Sequence, residues 1–190
     1  MTSIVVIDVL ERTVDELNAR LDEIRQSPAD RGTVELIVRR PAEDKREVLD
    51  EAALDLEQGL VGDTWSTRGS RSTPDASSNR GMQLTLMNAR AIDVVAGGRD
   101  RWPLAGDQFY VDLDLTEENL PPGTQLAIGS AVIEVSDIPH TGCGKFSRRF
   151  GSSAQRFVNS QVGRAMHLRG INAFVIEAGI ARQWDTICKL

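Results

Sequence analysis

The sequence is poor in the residues that most often carry disulfide or metal chemistry. Its 190 residues include two cysteines, Cys143 and Cys188, and two histidines, His140 and His167. Two cysteines far apart in the chain do not form the framework of a disulfide-rich secreted domain. We therefore expect a reduced, cytoplasmic protein, in which Cys188 and His167 have ordinary structural roles.

Long apolar runs are also missing. No stretch approaches the ~20 consecutive apolar residues that are needed to span a bilayer. The first residues, Met1 to Ile4, lack the charged segment and the following apolar segment that are typical of a signal peptide. Neither a membrane association nor a signal peptide is therefore expected.

An overall excess of positive charge is absent as well, because the formal net charge is −6. Phosphate contacts along a nucleic acid need a basic face, so a general nucleic-acid binder is disfavoured. Cations are nevertheless concentrated in three places along the chain: at Arg68, Arg71 and Arg80, at Lys145, Arg148, Arg149 and Arg156, and at Arg164 and Arg169. An acidic chain with local basic clusters predicts a small anionic ligand.

The chain is long enough for one domain with a substantial core, and its periodicity is mainly that of strands. Strands are expected at 34–38, 82–87, 108–115, 125–128, 131–135, 171–176 and 186–188, and helices at 13–24, 45–58, 88–96 and 152–161. Short strands separated by glycine favour a mostly β (α+β) fold, with a closed barrel and peripheral helices.

The domain organisation and three irregular segments are predicted from the same pattern. A helical N-terminal extension over residues 1–32 is expected to precede a barrel domain over residues 33–190. Residues 179–181 are expected to form a turn, and Asp63 is expected to stabilise another turn. The segment Ser66–Ser78 is either a binding lid or a disordered insertion.

The segment Pro139–Phe150 is the richest in chemistry. Gly142 and Gly144 flank Cys143, and Lys145, Arg148 and Arg149 follow it. Nearby cations and backbone amides lower the pKa of a thiol, so this pattern predicts a reactive cysteine in a basic loop. The alternative is that Cys143 is a small buried apolar residue.

Several familiar sites do not match this segment. His140 and Cys143 have the spacing of half a zinc site, but there is no second close pair of ligands. Pro139 and Phe146 occupy positions where a phosphate loop needs glycine and a hydroxyl group, and nothing recognisable supplies the machinery of a cysteine protease. An oxyanion site of another kind remains, built from glycine amides and cations, and its alternative is a solvated basic surface.

Five segments, taken in order, resemble the MOSC domain, which is named after the C-terminal domain of molybdenum cofactor sulfurase. They are Gly59-Leu60-Val61-Gly62-Asp63, Gly106-Asp107-Gln108-Phe109, the segment from Asn119 to Gly129, His140-Thr141-Gly142-Cys143, and the segment from Arg169 to Val175. The resemblance extends from about residue 33 to residue 188. Trp184-Asp185 stands where a Gly-Asp pair is common in the family.

The resemblance implies a fold rich in β-barrel structure and a role with sulfur or molybdopterin. Cys143 matches the characteristic cysteine of the family, which implies that it carries sulfur or ligates molybdenum. The basic residues after it would receive the pterin phosphate, and Arg169 would be either a ligand contact or part of a barrel ion pair. The expected cofactor-binding residues are His140, Gly142, Gly144, Lys145, Arg148, Arg149, Arg169 and Arg80.

The function expected from this resemblance is that of a stand-alone MOSC-like protein that binds a molybdopterin-type cofactor. The alternatives are a molybdenum-dependent reductase of N-hydroxylated compounds and a non-catalytic carrier that passes cofactor to a molybdoenzyme. The expected partners are the small anionic cofactor, with a molybdoenzyme or a sulfur donor as further candidates. The pyridoxal-phosphate domain of full-length sulfurases has no counterpart in these 190 residues, so no pyridoxal-phosphate site is expected.

Overall fold

The computed structural model describes residues 12–70 and 73–190, so Arg71 lies outside the described residues. The helices are α1 (Val14–Asn18), α2 (Leu21–Arg25), α3 (Trp65–Arg68), α4 (Ala89–Ala96), α5 (Gly144–Phe150), α6 (Ser152–Asn159) and α7 (Gln161–Ala165). Two 3-10 helices span Arg80–Met82 and Arg99–Ala105. The strands are β1 (Arg31–Arg39), β2 (Glu47–Leu49), β3 (Glu51–Asp55), β4 (Gly59–Leu60), β5 (Leu84–Asn88), β6 (Phe109–Asp112), β7 (Gln125–Ile128), β8 (Ala131–Val135), β9 (Ile171–Glu177), β10 (Gly179–Arg182) and β11 (Thr186–Lys189).

Seven strands close into a barrel in the order β11, β7, β8, β9, β5, β6, β1. All neighbours are antiparallel except β5 and β6, which are parallel. The nine-residue β1 closes the ring, because it pairs with β6 and its first residues also pair with β11. Its last residues pair with β2, which lies outside the ring. The predicted closed barrel with peripheral helices is therefore confirmed.

A separate three-stranded sheet, in the order β10, β3, β4, corrects two predictions. The helix expected over residues 45–58 is wrong, because β2 and β3 occupy this segment. In β3 the buried Ala52 and Leu54 alternate with exposed neighbours, and this period of two is the period of a strand. The turn expected at residues 179–181 is also wrong, since β10 pairs there with β3, with Ile180 opposite Ala53.

Two apolar clusters lie on opposite faces of the barrel wall. The barrel interior includes Val34 and Ile37 of β1, whereas Leu36 and Val38 belong to the outer cluster. The outer cluster is covered by helices α1, α2, α4, α5 and α6, because their apolar side chains pack onto the outside of β1 and β6. The helical layer is therefore anchored to the barrel by strands that present apolar side chains on both faces, as β1 and β6 do.

The N-terminal helical segment belongs to this outer layer. The helix expected over residues 13–24 is confirmed, with a break that separates α1 from α2. Thr13 and Glu16 form the predicted capping box, in which the Thr13 amide donates to the Glu16 carboxylate at 2.7 Å. Leu17 and Ile24 are buried, and α1 packs against α6.

The last turn of the chain explains the departure at Trp184. Trp184 has φ +74°, a left-handed conformation that glycine adopts most easily. The turn still forms, because the Asp185 carboxylate accepts from the Arg182 amide at 2.7 Å. The exposed indole is covered on one face by Arg99, whose guanidinium carbon lies 5.1 Å from its ring centroid.

Within the described residues, none of the helices has the length and apolar character required to cross a bilayer.

Candidate functional site

Cys143 is the N-cap of helix α5, with φ −100° and ψ 177°. The loop expected over Pro139–Phe150 is therefore wrong from Gly144 onwards, where the chain is helical. Phe146 and Phe150 lie one turn apart, and their buried rings pack with centroids 4.9 Å apart. This apolar face holds the helix against the outer cluster. Cys143 itself is exposed, so the alternative of a buried apolar cysteine is wrong.

The surroundings of Cys143 favour its thiolate form. Partial burial acts to raise the pKa of the thiol, but the nearby backbone amides of Phe146 and Lys145 lower it. The positive charge of Arg169 lowers this pKa further, and the net result is a pKa below the ordinary value of 9.0. The thiolate is the nucleophilic and metal-binding form of cysteine, so the site is suited to either role.

Helix α6 clamps the residue that precedes Cys143. The Asn159 side chain accepts from the Gly142 amide at 2.9 Å and donates to the Gly142 carbonyl at 3.0 Å. Gln155 donates to the same carbonyl at 3.3 Å. A Cβ atom at position 142 would lie 2.9 Å from a methyl group of Val158, so this close approach requires glycine. Gly144 is more open, since a Cβ atom at this position would lie 3.8 Å from the Arg148 guanidinium and would meet no closer side chain among the described residues.

A buried ion pair lies beneath Cys143. Arg169 donates to the Asp107 carboxylate at 2.6 Å and to the Ala105 carbonyl at 3.0 Å. Its guanidinium carbon also lies 5.0 Å from the ring centroid of Phe146. Of the two roles left open for Arg169, the barrel ion pair is observed, and the same charge lowers the pKa of Cys143.

His140 is the third member of this buried group. Its Nδ1 lies 3.5 Å from the second Asp107 oxygen, and neither atom has a hydrogen-bond partner among the described residues. Burial lowers the pKa of His140 to about 3, and the charge of Arg169 acts in the same direction, against the opposing effect of Asp107. His140 is therefore neutral at pH 7.

Arg40 forms a second buried ion pair next to the first. Its guanidinium binds both oxygens of Asp63, each at 2.8 Å, and donates to the Gly106 carbonyl at 3.0 Å. Asp63 also accepts from the Trp65 amide at 3.0 Å, which confirms its predicted role in a turn. The sequence pattern around Arg40 indicated only the end of a strand, and no local signal reveals that its partner is 23 residues away.

The end of the 3-10 helix Arg99–Ala105 gathers three arginines. The carbonyls that close a helix are left without partners inside the helix and attract cations. Three successive carbonyls here each accept from a different arginine. They are Leu104, bound by Arg149 at 2.8 Å, Ala105, bound by Arg169 at 3.0 Å, and Gly106, bound by Arg40 at 3.0 Å.

A cavity of about 350 Å³ opens beside this cluster, and we call it the basic pocket. Four cations line it, together with two carboxylates and three small or hydroxyl residues. The lining residues are Arg40, Arg46, Arg68, Lys145, Glu43, Asp44, Ala42, Thr64 and Thr67. Burial and the charges of Arg149 and Arg40 lower the pKa of Arg46, and partial burial and the charge of Arg40 lower the pKa of Arg68. The two carboxylates of the pocket already pair, Glu43 with Lys145 at 3.1 Å and Asp44 with Arg149 at 2.8 Å.

The basic pocket therefore holds two arginines, Arg46 and Arg68, that form no ion pair, although Asp44 and Asp63 partly offset the lowering of their pKa values. Across residues 12–70 and 73–190, no carboxylate pairs with Arg46 or Arg68, and the Nε of Arg46 is buried without a hydrogen-bond partner. Cations that are close together and partly removed from water are stabilised by a bound anion.

The structure brings most of the predicted site residues together. His140, Gly142, Lys145, Arg149 and Arg169 surround Cys143 or the Leu104–Asp107 turn. Arg80 lies elsewhere, where it donates to the Val175 carbonyl at 3.3 Å and stacks on Phe174. Sequence reasoning did not identify the roles of Arg40, Arg46 or Asn159.

The protein itself offers few ligands for a metal. In the part of the chain that the structure describes, there is no group of three or more His, Cys, Asp or Glu side chains that could hold a metal ion. A metal bound to Cys143 would therefore need further ligands from a cofactor.

Solved structures share this architecture. YuaD from Bacillus subtilis matches with a TM-score of 0.60 at 16% identity, over 83% of this chain and 94% of that chain. YiiM from Escherichia coli matches with a TM-score of 0.54 at 20% identity, over 83% and 69%. YiiM from Geobacillus stearothermophilus matches with a TM-score of 0.51 at 12% identity, over 85% and 73%.

YuaD and YiiM are MOSC-domain proteins, so the predicted resemblance is confirmed at the level of the fold. No protein-family model and no curated protein matches the sequence.

Proposed function

We propose that this protein binds an anionic, molybdopterin-type cofactor in the basic pocket and uses Cys143 to carry sulfur or to ligate the molybdenum. The observation that carries the proposal is the surplus of partly buried cations beside an exposed thiol whose pKa is lowered. The MOSC-type fold supports the same assignment.

The residues present fit such a group. A volume of about 350 Å³ lies within the usual range of small-molecule sites, roughly 300–1,000 Å³. Arg46, Arg68 and Lys145 offer N–H donors for a phosphate, and arginine matches phosphate geometry particularly well. A molybdopterin brings its metal on sulfur atoms of its own, which is consistent with a protein that supplies one thiolate.

Each group around the thiol has a role that follows from its contacts. Asn159 fixes the backbone of Gly142 and thereby the position of Cys143. Arg169 and the amides of helix α5 stabilise the thiolate. When bound, the cofactor supplies a molybdenum centre for redox or oxygen-atom chemistry. Without a metal bond, the same thiolate can attack the outer sulfur of a donor persulfide and release the donor as a thiolate.

The proposal is tested by adding molybdenum cofactor to the metal-free protein under anaerobic conditions. We expect the wild type to retain molybdenum, and Arg46→Ala to lower the affinity by about tenfold or more, since hydrogen bonds to charged groups contribute roughly 1.5–3 kcal/mol. The matched control is Arg182→Ala, because Arg182 is exposed and pairs with Glu51 on the separate sheet. Equal retention by all three proteins would rule out the basic pocket.

The role of Cys143 needs a separate variant. We expect Cys143→Ser to keep the phosphate contacts of the pocket and to lose persulfide formation on the protein, which mass spectrometry measures after treatment with a persulfide donor. Undiminished molybdenum retention together with undiminished persulfide in this variant would contradict the assigned role.

The same preparation separates the two alternative functions, which share the binding step. Molybdenum near one per chain, with turnover of N-hydroxylated compounds that depends on an electron donor, would indicate a reductase. Release of cofactor to an apo-molybdoenzyme without turnover would indicate a carrier.

A further inference from the structure

A second cavity, of about 590 Å³, lies on the other side of the segment from Pro139 to Lys145. Apolar side chains dominate its walls, with Ile138 from the segment before His140, Val158 from α6 and Ile171 from β9. We call it the apolar cavity. None of the described residues lines both this cavity and the basic pocket.

An unpartnered acceptor belongs to the wall of the apolar cavity. Asn172 is 1% exposed, and its amide nitrogen donates to the Ile138 carbonyl at 3.0 Å. This bond defines the orientation of the amide, because a carbonyl can only accept. The Asn172 Oδ1 atom is left buried without a hydrogen-bond partner among the described residues. A buried acceptor without a partner lowers the stability of the folded state, and a donor that binds it removes this free-energy cost.

Two histidines, His140 and His167, also line the cavity. The Nδ1 atom of His167 lies 2.6 Å from the Leu115 carbonyl, so this nitrogen carries the proton, and in the neutral ring Nε2 has a lone pair. The Nδ1 atom of His140 lies 3.5 Å from an Asp107 oxygen and has no hydrogen-bond partner among the described residues. His167 also has φ +46°, in the left-handed region that histidine adopts more often than most residues other than glycine.

We propose that the apolar cavity is a binding site for a small uncharged molecule that has an apolar body and N–H donors, such as an aromatic amide or a nitrogen heterocycle. The apolar walls select the body, and the acceptors on Asn172 and His167 select the N–H groups. The charged residues of the cavity, Glu117, Asp137 and Arg164, are exposed and of both signs, so they do not favour a net charge on the ligand. The proposal does not depend on the cofactor, because the two cavities have separate walls.

The test uses benzamide and N,N-dimethylbenzamide as probes, since both have an aromatic body and only benzamide has N–H donors. The methyl groups of Ile138, Val158 and Ile171 are observed by NMR in the metal-free protein during each titration. We expect these methyl signals to shift with benzamide and the affinity for N,N-dimethylbenzamide to be about tenfold lower, because it leaves the buried acceptors unpaired. Equal affinities for the two probes, or no shift with either, would overturn the proposal.

A pair of variants on helix α7 locates the binding. Ala165 is an exposed residue of the cavity wall, so Ala165→Trp is expected to fill the opening and reduce benzamide binding by at least tenfold. Val162 is exposed on the same helix and does not line the cavity, so Val162→Trp is the matched control and is expected to bind normally. Unchanged binding by Ala165→Trp would also overturn the proposal. If Ala165→Trp does not fold, the affinities of the wild type for benzamide and N,N-dimethylbenzamide still test the proposal.

Discussion

The basic pocket and the apolar cavity lie on opposite sides of the same short segment, yet their unsatisfied groups are of opposite kinds. The basic pocket has donors without acceptors, of which the buried Nε of Arg46 is the clearest. The apolar cavity has an acceptor without a donor, the Oδ1 of Asn172. Because each unsatisfied group indicates what would satisfy it, the two sides are suited to different ligands: an anion on one side and an N–H donor on the other.

A buried group of charged and titratable side chains contacts the apolar cavity and acts on Cys143. Asp107 contacts both His140 and Arg169. His140 lines the apolar cavity, and Arg169 lowers the pKa of the Cys143 thiol. Buried charges are expensive unless they are paired, so this group is stable only as a unit. The ion pair between Asp107 and Arg169 therefore acts on both His140 and Cys143, although its residues line neither cavity.

Removal of one partner of this ion pair should have a large effect on stability. Arg169→Met leaves the Asp107 carboxylate buried and uncompensated, so we expect the free energy of unfolding to fall by about 3–5 kcal/mol. Urea denaturation followed by circular dichroism measures this change.

The matched control for this prediction is Arg182→Met, which removes an arginine from an exposed ion pair with Glu51. Such surface pairs contribute roughly 0–1 kcal/mol, so we expect little change. A loss for Arg169→Met no greater than that for the control would show that the buried pair does not stabilise the fold.

Lowering the pH should reduce the free energy of unfolding through the titration of His140. The folded state holds the pKa of His140 at about 3, below the ordinary value of 6.5, so between these values only the unfolded chain binds the proton. The stability that neutral His140 contributes is therefore complete above pH 6.5 and is lost as the pH falls towards 3. At pH 5 we expect a loss of about 2 kcal/mol from this group.

The measurement compares the wild type with His140→Gln, which cannot titrate at this position. Urea denaturation at a series of pH values from 7 to 5 should give a flatter dependence for the variant, because its side chain gains no proton on unfolding. Parallel pH dependences for the two proteins would contradict the burial of a neutral imidazole at this site.

The smallest expected effect is on the rate at which the Cys143 thiol reacts. Iodoacetamide should alkylate Cys143 with a pH midpoint below 9.0, because its pKa is lowered, and more of the thiol should therefore react as thiolate at pH 7. Cys188→Ser isolates this reaction, and mass spectrometry with Cys143→Ser provides the background rate. A midpoint at or above 9.0 would mean that the amides of helix α5 and Arg169 do not stabilise the thiolate.

Much of the barrel could be predicted from the alternation of apolar and polar residues. The strands at 125–128 and 131–135 have the predicted bounds, because each is punctuated by glycine or a turn on both sides. The segment 45–58 could not be predicted in this way, since its charged residues have helical propensity, and pairing with β10 decides its conformation. Helix α5 could not be predicted either, because two glycines and three cations favour a loop. The contact between Phe146 and Phe150, which stabilises the helix, is evident only in the structure.

Local sequence determined that Cys143 lies among glycines and cations, because neighbours in the chain remain neighbours in space. It also determined most of the strands, because strand periodicity is a local property, whereas closure of the barrel needs the pairing of β1 with β11. Only the tertiary structure decided which charges meet, since Arg40 reaches Asp63, Arg169 reaches Asp107 and Asn159 reaches Gly142 across the fold. The physical reason is that burial makes an ion pair or an amide clamp strong, and burial depends on packing between segments that are distant in sequence.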